Sequence, residues 1–138
     1  MILQELRDCN PPSELLKIES SEFDIIWISD YYDGPISGML QLENELFWFE
    51  MTQENENWEK DGWYRRYGVI RLTNEQLNKE LEVHRDFQKY VGTHWDKILL
   101  KTPPKLIKNQ QNEFYDKHSE YVRSSPFEQN ILLGWMEN

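Results

Sequence analysis

The sequence predicts an α+β domain: an antiparallel sheet of about four strands, within residues 23–72, packed by C-terminal helices at 73–91 and 109–124. Two observations favour this fold. Short apolar and aromatic runs separated by turn residues fill the first half, and near Thr73 the apolar period changes from two residues to about 3.6. No internal repeat or low-complexity stretch divides the 138 residues, so we expect a single globular domain over 1–138.

The first element is a short helix over residues 2–9, with Ile2, Leu3, Leu6 and Cys9 on its inward side. Pro11 and Pro12 end it, because proline has no amide hydrogen and restricts the residue before it. Cys9 is the single cysteine, so no internal disulfide can form. A reducing, cytoplasmic location is therefore expected.

Four runs predict strands because they are short, branched and aromatic; they are residues 23–28, 36–42, 46–51 and 63–72. Three residues, 43–45, separate the second run from the third, which is a spacing suited to an antiparallel hairpin. Parallel pairing would need long crossover connections between these runs. The sheet is therefore predicted to be antiparallel.

Alternation along residues 46–51 indicates the position of the third strand. Phe47, Phe49 and Met51 share one face, whereas Leu46, Trp48 and Glu50 share the other. Both faces are mostly apolar, so this strand is expected to be central and covered on each side.

The helix at 73–91 begins with a capping box, in which Thr73 and Gln76 can each accept a hydrogen bond from the other's amide. Leu77, Leu81, His84 and Val91 then recur at helical spacing. The helix at 109–124 places Phe114, His118, Tyr121 and Val122 on one side. Residues 131–133 fit either a closing strand or a helical turn.

The charge is unevenly distributed. Residues 1–63 contain 15 acidic and three basic residues, whereas residues 64–138 contain ten acidic and 12 basic residues. Such a field attracts basic proteins and repels nucleic acid and anionic lipid, and no apolar run approaches the roughly 18 residues of a membrane span. We therefore expect neither a nucleic-acid nor a membrane partner.

Aromatic residues are interleaved with the acids of the first half. Charge runs are most often solvated faces. The alternative is an interaction surface, in which acids steer a basic partner inward and aromatic rings then hold it. The candidate interface comprises Tyr31, Tyr32, Asp33, Glu54, Glu56, Trp58, Glu59 and Asp61.

The leading functional hypothesis is a non-catalytic binding protein, of the immunity-type inhibitor kind, that engages a basic protein through this acidic half. In size and acidity the chain is similar to small bacterial inhibitors that neutralise basic toxins or DNA-binding enzymes. That resemblance is one of composition and assigns no residue a role. A related variant is a DNA mimic, with carboxylates spaced like phosphates.

A competing hypothesis is a small metal-assisted hydrolase using Asp30 and Asp33, or His84 and His94, because carboxylates and imidazoles bind metal ions. Turn formation is the ordinary explanation for the two aspartates, and a hydrogen-bonded position in the core is the ordinary explanation for His84. The sequence contains no closed metal motif, phosphate-binding loop or nucleophile elbow. No catalytic residue, metal or cofactor is therefore assigned.

Overall fold

The computed structural model describes residues 2–8, 15–31, 34–54, 65–90, 111–118, 127 and 129–137. A one-turn 3₁₀ helix, Ser20–Glu22, precedes the first strand. The other elements in chain order are helix α1 (Leu3–Asp8), strands β1 (Phe23–Tyr31), β2 (Pro35–Leu42), β3 (Glu45–Glu54) and β4 (Arg65–Ile70), helices α2 (Asn74–Tyr90) and α3 (Gln111–Lys117), and strand β5 (Leu132–Glu137). The predicted α+β class is confirmed.

The five strands form one sheet in the order β1-β2-β3-β4-β5, with every neighbouring pair antiparallel. The four strands predicted within 23–72 are present, and β3 is central, as its alternation indicated. Of residues 131–133, which fitted either a strand or a helical turn, the last two belong to β5. At the β2–β3 turn, Glu43 and Asn44 both have positive φ, of 49° and 68°. Two such residues match the right-handed twist of a tight hairpin.

One row of buried side chains crosses the sheet on the side that carries the helices, which we call the helix face. Each member pairs with the next across neighbouring strands: Trp27, Met39, Trp48, Ile70 and Leu132. Leu3 and Leu6 of α1, both fully buried, pack in this cluster. Leu77 and Leu81 of α2 pack against it as well. The inward positions predicted for these four leucines are confirmed.

Helix α2 begins with the predicted capping box. The Gln76 amide donates to Thr73 Oγ1 at 3.1 Å, and the Thr73 amide donates to Gln76 Oε1 at 3.0 Å. Asn130 Nδ2 donates to the same Gln76 oxygen at 2.6 Å and to the Arg71 carbonyl at 3.1 Å. The start of α2 is thereby tied to the residues that lead into β5.

The opposite side of the sheet, which we call the inner face, is also apolar. Its buried side chains are Ile18, Ile28, Leu40, Phe47, Phe49, Tyr67, Val69 and Met136. Phe47 and Phe49 thus lie on this face while Trp48 lies on the helix face, which confirms the predicted alternation of β3.

Residues 16–18 lie along the outer edge of β5. The Ile18 amide donates to the Trp135 carbonyl at 2.8 Å, and the Trp135 amide donates to the Leu16 carbonyl at 2.9 Å. From Ile18 the chain reaches Phe23, the first residue of β1, over at most about 17 Å. In a flat sheet, strands about 4.8 Å apart would place residues 16–18, one spacing beyond β5, about 24 Å from β1. The sheet must therefore curl around its inner face.

Gly134 is the point at which residues 16–18 approach β5 most closely. A Cβ atom at Gly134 would lie 2.5 Å from the Leu16 carbonyl oxygen and 3.0 Å from Ile18 Cδ1. We expect Gly134→Ala to lower the free energy of unfolding by ~1–3 kcal/mol, because the backbone must shift to make room. Urea denaturation measures this change.

The matched control is Leu16→Ala. The Leu16 side chain is 59% exposed, and its truncation leaves the carbonyl in place. This variant should unfold within about 0.5 kcal/mol of the wild type. If Gly134→Ala were as stable as Leu16→Ala, the close approach of the two segments would be refuted.

Candidate functional site

Four strand termini meet at one end of the sheet, which we call the loop end. Strand β1 finishes at Tyr31 opposite Pro35 of β2, and β3 finishes at Glu54 opposite Arg65 of β4. The connections that follow Tyr31 and Glu54 therefore leave from the same end. Because neighbouring strands are about 4.8 Å apart, the two hairpins are centred about 10 Å from each other.

The candidate interface belongs to these two connections. Tyr31 is the last residue of β1, and Glu54 is the exposed last residue of β3. The other members lie outside the described residues: Tyr32, Asp33, Glu56, Trp58, Glu59 and Asp61. The antiparallel order thus brings to one end two segments that are separate in the sequence.

A buried arginine underlies the loop end. Arg65 is 1% exposed, and its guanidinium donates to the Pro35 carbonyl at 3.2 Å and to Glu54 Oε1 at 3.4 Å. The Tyr67 hydroxyl donates to the same Pro35 carbonyl at 2.7 Å. Since β3 lies between β2 and β4, these bonds connect two strands that are not neighbours. They fix the positions from which both hairpin connections start.

The other arginines near β4 also pair with acids. Arg66 Nη2 lies 2.7 Å from Glu137 Oε1, and its guanidinium lies over the Trp135 ring at 5.2 Å. Arg71 Nη1 lies 2.7 Å from Glu45 Oε2. Arg65, Arg66 and Arg71 thus each pair with an acidic residue of the sheet.

Exposed carboxylates also surround a shallow groove at the end of the sheet opposite the loop end. The groove has a volume of about 230 Å³, and its described lining residues are Ser21, Glu22, Phe23, Asp24, Gln41, Glu43 and Asn44. Within the part of the chain that the structure describes, Glu19, Glu22 and Glu43 form no ion pair. The first half therefore presents negative charge that the described basic residues leave unneutralised.

The described residues proposed for a metal-assisted reaction, His84 and Asp30, lie in different surroundings. The His84 ring stacks on Trp27, with centroids 3.9 Å apart and planes within 6°. Asp30 is exposed on β1, and Asp33 and His94 lie outside the described residues. Among the residues described, no three His, Cys, Asp or Glu side chains are grouped so as to hold a metal ion. His84 also borders a cavity of about 230 Å³ between α2 and α3.

Sequence reasoning missed a pairing between the two helices. Asp86 Oδ2 lies 2.9 Å from His118 Nε2 and 2.7 Å from Lys117 Nζ. The hydrogen bond from Lys117, followed by that from His118, lowers the pKa of the Asp86 carboxyl below its usual value, although burial acts in the opposite direction. The inward position predicted for His118 was the available signal, because a polar residue on an apolar side needs a partner.

In the Asp86–His118 pair the carboxylate orients the imidazole, and such an arrangement is one part of a catalytic dyad. The second ring nitrogen of His118, Nδ1, is buried and accepts or donates no hydrogen bond among the described residues. No nucleophile in that part of the chain continues the dyad. What the pair does is tie α3 to α2, next to the contact between Phe87 and Phe114.

Comparison with known proteins gives no assignment: no family matches the chain, and neither a curated protein nor a solved structure is significantly similar to it. Among the described helices, none combines the length and the apolar character needed to cross a membrane. Function is therefore inferred from the side chains and their arrangement.

Arg65 and Arg71 provide a matched pair of substitutions. Arg65→Met removes a buried guanidinium that donates to the Pro35 carbonyl and to Glu54, and should lower the free energy of unfolding by ~1–3 kcal/mol. The pair of Arg71 with Glu45 is exposed on both sides, at 60% and 57%, so Arg71→Met should cost less than about 1 kcal/mol. Urea denaturation of both variants gives the comparison, and equal losses would contradict the anchoring role of Arg65.

The Asp86 pairing predicts a pH dependence. Its folded-state pKa lies below the unfolded value of about 3.9, so its stabilisation is present above that value and is lost as pH falls through the folded pKa. Asp86→Asn should therefore melt about 3 °C below the wild type near neutral pH, with the two melting temperatures converging below about pH 4. Scanning fluorimetry across this range measures the difference.

Asp30→Asn is the control for this titration. Asp30 is an exposed aspartate that forms no ion pair among the described residues. Its substitution should change the melting temperature little at any pH in the range. A gap between Asp86→Asn and the wild type that stayed constant down to pH 3 would refute the stabilising role of the Asp86 carboxylate.

Proposed function

We propose that the protein is a non-catalytic binding protein of the immunity-type inhibitor kind, and that its loop end captures a basic protein partner. The observation that carries this proposal is the topology of the sheet. The termini at Tyr31 and Glu54 are the starting points of the two segments that combine acids with aromatic rings, and they lie at the same end. A partner can therefore engage both segments at once.

Electrostatics supports the choice of a basic partner. The described basic residues of the first half are already engaged: Arg7 lies 3.8 Å from Glu50, and Lys17 lies over the Trp135 ring. The acids around the groove at the opposite end add to the same negative field. Complementary charge of this kind increases the association rate and disfavours anionic partners.

The anchoring of Arg65 supports a preorganised surface. Its bonds to Pro35 and Glu54 join the strand termini next to which both segments of the candidate interface begin. A rigid base lowers the entropy lost when flanking loops are ordered by a partner. Aromatic residues such as Trp58 are then suited to act as anchors, since truncation of an aromatic anchor commonly costs ~2 kcal/mol or more of binding free energy.

No described contact favours the competing hydrolase. It would require Asp30, Asp33 and a histidine to converge around one reacting atom. In the described residues His84 stacks on Trp27, and Asp86 rather than Asp30 pairs with a histidine.

The test begins with affinity capture from the native host at low salt, followed by purification of the captured protein. Binding of the purified partner is then titrated against wild type, Trp58→Ala and Ile131→Ala. Ile131 is a suitable control because it is an apolar residue, 72% exposed, that lies just before β5 at the end of the sheet opposite the loop end. Trp58→Ala should weaken binding by ~30-fold or more with nearly unchanged thermal stability, and Ile131→Ala should bind as the wild type does.

Salt provides the second criterion. Exposed charges are screened beyond about 10 Å at 0.1 M salt, so the dissociation constant should rise steadily as salt is added. A partner that is acidic or neutral and indifferent to salt would refute the electrostatic part of the proposal. A large fall in melting temperature for Trp58→Ala would make Trp58 a core residue and remove it from the interface.

A further inference from the structure

The curled sheet forms an open cavity on its inner face. The cavity has a volume of about 520 Å³. The described residues that line it come from the segment before β1 and from all five strands: Ser20, Phe23, Ile25, Pro35, Phe49, Tyr67, Met136 and Glu137. Phe49, Tyr67 and Met136 are each at most 4% exposed, so the cavity extends below the surface of the protein.

The chemistry of the lining favours an uncharged, apolar occupant. Three aromatic rings and the side chains of Ile25 and Met136 form most of it. The Pro35 carbonyl already accepts from both Arg65 and Tyr67, which uses the two lone pairs of that oxygen. Glu137 is paired with Arg66 at 2.7 Å. Water needs two to four polar partners, and a lining of this kind suits it poorly.

The size of the cavity indicates a small molecule. Ligand cavities typically measure about 300–1,000 Å³. A sphere of 520 Å³ is about 10 Å across, whereas a helix with its side chains is about 10–12 Å wide and much longer. A protein helix therefore cannot enter, and a compact ring system can.

We propose that this cavity is a binding site for a small, uncharged, ring-containing apolar molecule, held between Phe23, Phe49 and Tyr67. The site is formed because the residues before β1, which include Ser20, run from the β5 edge of the sheet to the β1 edge. The two described members of the candidate protein interface, Tyr31 and Glu54, are not among the described residues that line the cavity.

The probe for the test is N-phenyl-1-naphthylamine, an uncharged dye with a naphthalene and a phenyl group that fluoresces in apolar surroundings. The full-length protein should bind it saturably, with one dye per chain. Ile25→Phe narrows the cavity and should weaken binding at least fivefold. Ile26→Phe is the matched control, because Ile26 is the next residue of β1 and packs on the helix face; its affinity should stay within twofold of the wild type.

A second measurement uses the unmodified protein and does not depend on how a variant folds. With ¹³C-methyl-labelled methionine, the dye should shift the methyl resonance of Met136, which lines the cavity, and leave that of Met39 on the helix face unchanged. A sulfonated analogue, 1-anilinonaphthalene-8-sulfonate, should bind at least tenfold more weakly.

Four results would overturn the proposal. The first is the absence of saturable dye binding to the wild type. The second is a stoichiometry of one dye per two chains, which would place the dye between copies. The third is a shift confined to Met39. The fourth is equal affinity for the sulfonated dye, which would exclude an uncharged site.

Discussion

The short path between Ile18 and Phe23 is the constraint on which the rest of the structure depends. Ile18 bonds to the outer edge of β5, and Phe23 begins the strand at the opposite edge of the sheet. Because a few residues must join the two edges, the sheet curls, and one of its faces becomes an interior. The helix face is then covered by α1 and α2. The strand termini at the loop end lead into their connections.

The distribution of charge follows from the same architecture. Strand β4 lies next to β3 and β5, and each of its two arginines pairs with an acid of one of those neighbours: Arg65 with Glu54, and Arg66 with Glu137. The basic residues near the sheet are thus used within it, while carboxylates such as Glu43 stay at its surface. A chain with a net charge of −10 can in this way be internally paired at its centre and strongly acidic outside.

Local patterns made much of the fold predictable. The Thr73 capping box, the alternation along β3 and the short β2–β3 turn each involve residues close in sequence, so the relevant physics is visible in a few positions. The sequence did not distinguish a strand from a helical turn at the start of β5, because residues 131–133 are too few to show a period. The pairing of residues 16–18 with β5 has no local signature at all, since its bonds use backbone groups that every residue carries.

The site was less predictable for a similar reason. Proximity in sequence drew attention to His84 with His94, whereas the pairing that forms, Asp86 with His118, depends on how two helices pack. The meeting of the hairpin connections at one end could be inferred once the strands were taken as antiparallel. The contribution of Trp58 and its neighbours stays a prediction, because those residues lie outside the described part of the chain.

The pairing of Lys17 with Trp135, which closes the curled sheet, has a consequence for biosynthesis. The ribosome makes residues 16–18 before all five described strands, yet the strand they pair with is the last of those five. The hairpins between β1 and β4 can form as they emerge, because each pairs neighbours in sequence. The sheet can close only after Trp135 has left the exit tunnel. Until then the inner face, with Phe47 and Phe49, is an exposed apolar surface. Chains truncated before β5 should therefore aggregate or require a chaperone.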